Sequence, residues 1–169
     1  RILGRFNIKL ALSLEGNGMF VRMPWDEVRK VGDSSTDTVE VFNMMAKTYL
    51  TYHPVMKKNH SPCAGTRIDG KKVKKDAFPT GMVHGADLQP SMFTGSMLDY
   101  VWDKYNIPMI SAHISCCNYP RPRNLLEVYK ENLPPILKFL ELVYQGVWGK
   151  VTDSNNNPIS NVTINIGGK

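Results

Sequence analysis

The sequence predicts an α/β fold, because segments with strand periodicity alternate with segments of helical periodicity. Ile8–Glu15 and Met109–Ser115 alternate apolar and polar residues as strands do, and an amphipathic helix is predicted between them. The 169 residues are 42% hydrophobic and 21% charged, which is ordinary globular composition. The chain is therefore long enough to bury a core, and its length predicts one domain with little left over.

The first half of the chain predicts two strands and a helix. Ile8–Glu15 places Ile8, Leu10, Leu12 and Leu14 on one face, and Gly16-Asn17-Gly18 breaks the strand before a short return strand, Met19–Arg22. Asp37, with Glu40 three residues later, is typical of a helix N-cap. The helix is expected to run to about His53, and residues 54–80, which lack a clear period, are expected to form a long loop.

The second half predicts a further strand and two helices. In Met109–Ser115, Ile110, Ala112 and Ile114 form the apolar face and His113 lies opposite. A short helix is predicted near Leu125–Glu131, and a longer one from Pro134-Pro135 to Gly146, since proline suits the first turn of a helix.

The character of the chain changes at Gly146. Val147–Thr152 and Asn161–Ile166 alternate like strands, and the turn-rich residues 153–158 join them. Two strands do not form a stable domain alone. We therefore predict a domain boundary that divides the chain into residues 1–145 and 146–169.

Charge patterning argues against nucleic acid as a partner, and hydropathy argues against a membrane span within this chain. The net charge is +6, but the lysines concentrated in residues 57–75 have no interleaved aromatic residues, so nucleic acid is not an expected partner. No apolar run approaches the ~18 residues of a membrane span.

The three cysteines and two sequons bear on the cellular compartment. Cys116 and Cys117 are adjacent and do not readily pair with each other, but either could reach Cys63, which leaves one thiol over. Asn59 and Asn161 begin glycosylation sequons, which have meaning only in a secreted chain.

Two residues stand where α/β proteins place functional groups. Glu15 closes the first predicted strand and His113 lies near the end of another, and ligand crevices lie beyond the carboxyl ends of strands. The sequence contains no HExxH, CxxC, GxSxG or phosphate-loop motif. The spatial relation of Glu15 and His113 stays open at this point.

Five ordered blocks resemble the zinc carboxypeptidases of the regulatory N/E type. They are SLEGNG (13–18), YHPVM (52–56), PTGMVHGA (79–86), GSMLDY (95–100) and SCCNYP (115–120). The tail GVWGKVTD (146–153) is similar to the start of the transthyretin-like β-sandwich that follows the catalytic domain in that family. The resemblance implies the C-terminal portion of a mixed-sheet carboxypeptidase fold, followed by the first strands of that appendage.

The resemblance also implies which residues stand at the family's functional positions. Two zinc ligands come from an HxxE motif, which would lie before Arg1. Glu15 stands at the third ligand position, His113 at the position of the glutamate that activates water, and Trp102 at the position of a substrate-capping tyrosine. This pattern resembles the third, catalytically degenerate domain of carboxypeptidase D.

We therefore expect a non-catalytic carboxypeptidase-like domain that binds a peptide or protein ligand, or is structural, in a secretory-pathway protein. Zinc, the cofactor of the family, is not expected to bind this chain. The alternative is an active zinc metallocarboxypeptidase that removes C-terminal residues from peptides and proteins.

Overall fold

A computed structural model gives the fold of the chain. It describes residues 5–27, 36–57, 63, 67–68, 71–72, 80–88, 95–146 and 149–163. Within these residues no helix is both long and apolar enough to cross a membrane.

A four-stranded mixed sheet organises the described residues, so the predicted α/β class is confirmed. Its strands are β1 (Ala11–Glu15), β2 (Gly18–Met23), β5 (Met82–His84) and β6 (Met109–Ser115), in the spatial order β1-β6-β2-β5. β1 runs parallel to β6, while β2 runs antiparallel to β6 and parallel to β5. The strand β6 therefore lies between β1 and β2, the two strands that the SLEGNG segment (13–18) connects.

Helices cover both faces of this sheet. On one face, α1 (Thr36–Tyr52) and α4 (Leu125–Leu140) pack over the larger core, to which β6 contributes Ile110 and Ala112. On the other, α3 (Met97–Tyr105) buries Leu98 and Val101 with Met109. Side chains alternate across a strand, so Ser111 and His113 lie on the same face of β6 as Met109, which is the face that α3 covers.

The first strands and the first helix lie close to their predicted positions. β1 begins at Ala11 rather than Ile8, and β2 covers Met19–Arg22 with one extra residue at each end. α1 begins at Thr36, so Asp37 lies inside the helix rather than at its cap, and its side chain is outside the described residues. Such shifts at element ends are small.

The expected long loop at 54–80 contains structure. β3 (Arg67–Ile68) and β4 (Lys71–Lys72) pair as a short antiparallel hairpin, and the chain then enters β5 and α2 (Gly85–Leu88). Two-residue strands are too short to show a period, which is why the sequence pattern did not predict them.

The prediction of two separate helices near the C-terminus is wrong. α4 is one continuous helix with Pro134 and Pro135 inside it, and a 3₁₀ turn, Glu141–Tyr144, extends it toward Gly146. Proline normally breaks a helix interior. Here Pro135 is fully buried between Asn132 and Phe139, which are also buried, so packing on both sides of the prolines overrides the local preference.

The two strands predicted beyond Gly146, residues 147–152 and 161–166, lie only partly within the described residues. Residues 149–163 contain a single β-bridge, between Thr152 and Pro158, and no strand. The predicted turn does form: the Asp153 carboxylate accepts the backbone N–H groups of Asn155 (2.9 Å) and Asn157 (2.8 Å). Residues 147–148 of the first expected strand and 164–166 of the second lie outside the described residues.

A disulfide joins Cys63 to Cys116, which resolves the pairing that the sequence left open. It ties the segment after α1 to the end of β6 across 53 residues. Cys117 is a free, exposed thiol.

Candidate functional site

Glu15 and His113, whose relation the sequence left open, are neighbours across the β1–β6 ladder. They are register partners at the ends of two parallel strands, and His113 Nε2 lies 3.6 Å from Glu15 Oε2. The parallel pairing explains this proximity, because it brings the carboxyl ends of both strands to the same edge of the sheet.

The Glu15 carboxylate is held by donors from three strands. Its Oε1 accepts hydrogen bonds from Ser111 Oγ (2.5 Å), Arg22 Nη2 (3.0 Å) and Ser13 Oγ (3.3 Å). Register accounts for the cluster: Ser111 is opposite both Ser13 on β1 and Arg22 on β2, so these side chains share one face of the sheet.

Arg22 connects this carboxylate to a second one. Its side chain is buried, and Nη1 donates to Asp26 Oδ2 at 2.7 Å while Nη2 donates to Glu15. Asp99 on α3 fixes the position of Asp26, since its carboxylate accepts the backbone N–H groups of Asp26 (3.0 Å) and Glu27 (2.9 Å). The result is a buried ionic network that joins β1, β2 and α3.

The surroundings move the two carboxyl groups in opposite directions. Burial by itself raises the pKa of Glu15, but the Ser111 hydroxyl and the nearby charges of Arg22 and His113 outweigh it, so the pKa is lowered. For Asp26, burial and the neighbouring Asp99 charge outweigh the Ser96 hydrogen bond and the Arg22 charge, and the pKa is raised. The surroundings of Glu15 therefore favour its ionised form.

The ring of His113 is held on two sides. Nδ1 lies 2.8 Å from the backbone oxygen of Gly16, and because a carbonyl only accepts, Nδ1 carries the proton in this contact. Phe20 stacks on the ring with a centroid distance of 4.2 Å. The other nitrogen, Nε2, faces Glu15.

Trp102 is partly buried and packs against the larger core. Its ring meets Phe42 of α1 edge to face at 5.2 Å, and Phe42 in turn contacts Trp25. Trp102 thus makes the aromatic packing contacts of a residue at the edge of the core.

The side chains around Glu15 do not fit a zinc ion. A guanidinium 3.0 Å from the carboxylate competes with a metal for the same oxygen and repels a divalent cation. Within the described ranges no three His, Cys, Asp or Glu side chains are grouped to hold a metal ion, and the HxxE pair that the resemblance implies would lie before Arg1.

The sequence analysis did not identify four further residues of this network as candidate site residues: Arg22, Asp26, Asp99 and Ser111. Arg22 carried a usable signal, since an arginine inside the apolar run Gly18–Met23 must find a partner when it is buried.

The candidate glycosylation residue Asn161 is exposed, while Asn59 lies outside the described residues.

Comparison with known proteins shows relatives over nearly the whole chain. It is 31% identical over 94% of its length to carboxypeptidase Z of Gallus gallus, 32% identical over 94% to carboxypeptidase D of Homo sapiens, and 29% identical over 93% to carboxypeptidase M of Mus musculus. The chain spans 24%, 11% and 34% of the lengths of these relatives, respectively. No family model matches the chain.

Proposed function

We propose that this chain, which belongs to the metallocarboxypeptidase family, is a non-catalytic carboxypeptidase-like domain. In this proposal it serves as a binding or structural module for a peptide or protein ligand. The observation that carries the proposal is the Arg22–Glu15 ion pair, at 3.0 Å. It places a fixed positive charge at the position where the family resemblance expects a zinc ligand.

The electrostatics of this position support the loss of hydrolysis. In a zinc hydrolase, the metal lowers the pKa of its bound water and a neighbouring glutamate accepts the proton. Here the carboxylate is already paired with Arg22, and an imidazole occupies the base position with its Nε2 facing Glu15. Loss of a general base alone costs roughly 10²–10⁴-fold in rate.

We further propose a secretory-pathway location and a domain boundary at residue 145/146. The Cys63–Cys116 disulfide supports the location, because disulfides persist in oxidising compartments. The Asp153–Asn157 turn and the Thr152–Pro158 bridge support a β-hairpin that begins a transthyretin-like module.

The test measures zinc and peptidase activity on the longest natural form of the protein that contains these 169 residues. After dialysis against zinc buffer, elemental analysis should find well under one equivalent, and peptides ending in Arg, Lys or a hydrophobic residue should not be cleaved. An active metallocarboxypeptidase is the assay control. A full equivalent of slowly released zinc with turnover above about 1 s⁻¹ would establish the active alternative instead.

A matched variant tests whether the ion pair blocks the metal. Glu15→His with Arg22→Ala removes the cation and places an imidazole beside His113, so zinc affinity should rise at least tenfold. Glu15→His alone keeps Arg22 and should gain much less. Equal zinc binding by the two variants would show that Arg22 does not control the position.

A further inference from the structure

The histidine that follows α1 points into the interior of the protein. His53 comes directly after the helix, and its side chain is fully buried. Pro54 ends the helix here, because proline has no backbone N–H and disfavours helical geometry in the residue before it. In the turn that follows, Met56 is also buried, whereas Pro54 and Lys57 are exposed. Residues 53–57, which we call the latch turn, therefore form a surface turn with two inward side chains.

The imidazole ring closes the latch turn. The backbone N–H groups of Val55 (3.2 Å) and Met56 (3.1 Å) both donate to Nδ1 of His53. Within the described ranges neither of these N–H groups has a backbone acceptor, so their hydrogen bonds depend on the ring. A nitrogen that accepts carries no proton, so the proton of the ring is on Nε2 and the ring is neutral.

The surroundings of the ring also disfavour a positive charge. Tyr49 of α1 stacks on it at a centroid distance of 6.2 Å, and Asn132 of α4 interacts with it. Both side chains are uncharged, and the Tyr49 hydroxyl donates to Asn132. In the described part of the chain no carboxylate pairs with the ring to offset its burial. Burial therefore lowers the pKa of His53 from 6.5 to about 4, against the smaller, opposing effect of Asn132.

We propose that His53 is an acid-sensitive latch, whose protonation at Nδ1 opens the latch turn under mildly acidic conditions while the central strands of the sheet stay folded. A proton on Nδ1 converts the acceptor of two hydrogen bonds into a donor, so the N–H groups of Val55 and Met56 lose their partner together. The opened turn exposes the ring to water, which favours its charged form.

The latch turn supports the beginning of β5. Gly81, directly before this strand, lies so close that a Cβ atom there would be 3.1 Å from the backbone oxygen of Met56. The backbone oxygen of Gly81 accepts the N–H of Val21 in β2, at 2.8 Å. In the described sheet β5 is an edge strand, paired with β2 alone. We therefore expect residues 81–84 to loosen with the latch turn, and the central strand β6 to stay closed.

Proton linkage gives the direction and the size of the effect. The ring has its ordinary pKa of 6.5 when the turn is open and a pKa of about 4 when it is closed, so opening takes up a proton. The closed turn is therefore most stable above pH 6.5 and loses stability as the pH falls toward 4. Between pH 7 and pH 5 the equilibrium constant for opening should rise about twentyfold.

The test is hydrogen exchange, resolved to single amides, on the longest natural form of the protein that contains these 169 residues. After correction for the intrinsic exchange rate at each pH, protection of the Val55 and Met56 amides should fall about twentyfold from pH 7 to pH 5. Protection of the β6 amides should fall less than about threefold. Constant protection at Val55 and Met56 would overturn the proposal. An equal loss in β6 would also overturn it, because the whole domain would then be unfolding.

Two variants separate the charge of the ring from its role as an acceptor. His53→Asn carries an acceptor oxygen at the same distance along the side chain as Nδ1, but does not titrate. Its protection of Val55 and Met56 should therefore be the same at pH 5 as at pH 7. His53→Ala removes the acceptor and should leave both amides weakly protected at either pH.

The control is His84→Asn, at a histidine of β5 that contacts the backbone oxygen of Pro24. It should keep the wild-type pH dependence at Val55 and Met56. A His53→Asn protein whose protection still falls about twentyfold would overturn the assignment to His53. If the variants at His53 do not fold, the wild-type exchange measurement decides the proposal by itself.

Discussion

Arg22 bridges two carboxylates that come from different parts of the chain, Glu15 at the end of β1 and Asp26 just after β2. A buried arginine is tolerated only when its donors are matched, and here two of its nitrogens donate to ionised or ionisable oxygens. The network therefore stabilises the folded state by satisfying buried charge. The same contacts remove the carboxylate of Glu15 from the set of groups free to bind a cation.

The lowered pKa of Glu15 makes part of this stability depend on pH. Glu15 stays ionised in the folded state at pH values where the unfolded chain already binds a proton, so its contribution is present above the ordinary value of 4.5 and is lost as pH falls through the lowered pKa. We predict that Glu15→Gln lowers the free energy of unfolding at pH 7 by about 1.5–3 kcal/mol, the worth of a hydrogen bond to a charged group.

Urea denaturation of both proteins between pH 7 and pH 3 measures this effect. The gap between wild type and Glu15→Gln should narrow below pH 4.5, because the wild-type carboxyl group is then losing its charge as well. Glu141→Gln, which breaks the exposed pair with Lys138, should cost less than about 1 kcal/mol. A gap that stays constant with pH would contradict the assigned role of Glu15.

Strand periodicity predicted β1 and β6, but not their pairing. Alternation depends on local sequence, and it placed Ile110 and Ala112 on the buried face and His113 on the other, as observed. Pairing depends on which strands meet, so the contact between Glu15 and His113 could not be read from either strand alone. The prediction that a new helix starts at Pro134 was wrong for the same reason. Local rules place proline at a helix start, whereas tertiary packing here keeps α4 continuous through both prolines.

Asn132 is the polar link that attaches α4 to its neighbours. Its Oδ1 accepts the buried Tyr49 hydroxyl of α1 at 2.9 Å, and its Nδ2 donates to the backbone oxygens of Val128 (2.8 Å) and Ile114 (3.3 Å). Ile114 belongs to β6, so one side chain joins two helices and the sheet. This link lies within one turn of Pro134 and Pro135.

We predict that Asn132→Leu, which keeps the side-chain size, lowers the free energy of unfolding by about 1–3 kcal/mol, because it leaves the Tyr49 hydroxyl buried without its acceptor. Tyr49→Phe removes that hydroxyl, so the double variant should be more stable than the sum of the two losses predicts, by 0.5 kcal/mol or more. Thermal or urea unfolding measures all three proteins. Tyr52→Phe is the control, because Tyr52 is an exposed tyrosine of α1, the helix that also carries Tyr49. Strictly additive losses would show that the two side chains do not act together.

On the scale of the whole molecule, the buried cores of the described part of the chain lie within residues 5–142. The larger core joins β1, β2, β6, α1 and α4, and the smaller one joins α3 to the start of β6. By contrast, Val151, Ile159 and Val162 are exposed, and the turn at Asp153 is closed by bonds within its own segment. This difference in burial supports the boundary proposed at residue 145/146, and the proposed hairpin would need further strands or a partner to cover these side chains.

A deletion measures that boundary directly. Removing residues 147–169 should change the free energy of unfolding of the remaining chain by less than about 0.5 kcal/mol, because residues 149–163, the described part of this segment, contribute no member to either core. Removing residues 139–169 is the matched control: it also deletes the buried Phe139 and Leu142, and should abolish cooperative thermal unfolding. If the shorter deletion alone lowered stability by several kcal/mol, residues 147–169 would be part of the α/β unit, and the division of the chain at 145/146 would be wrong.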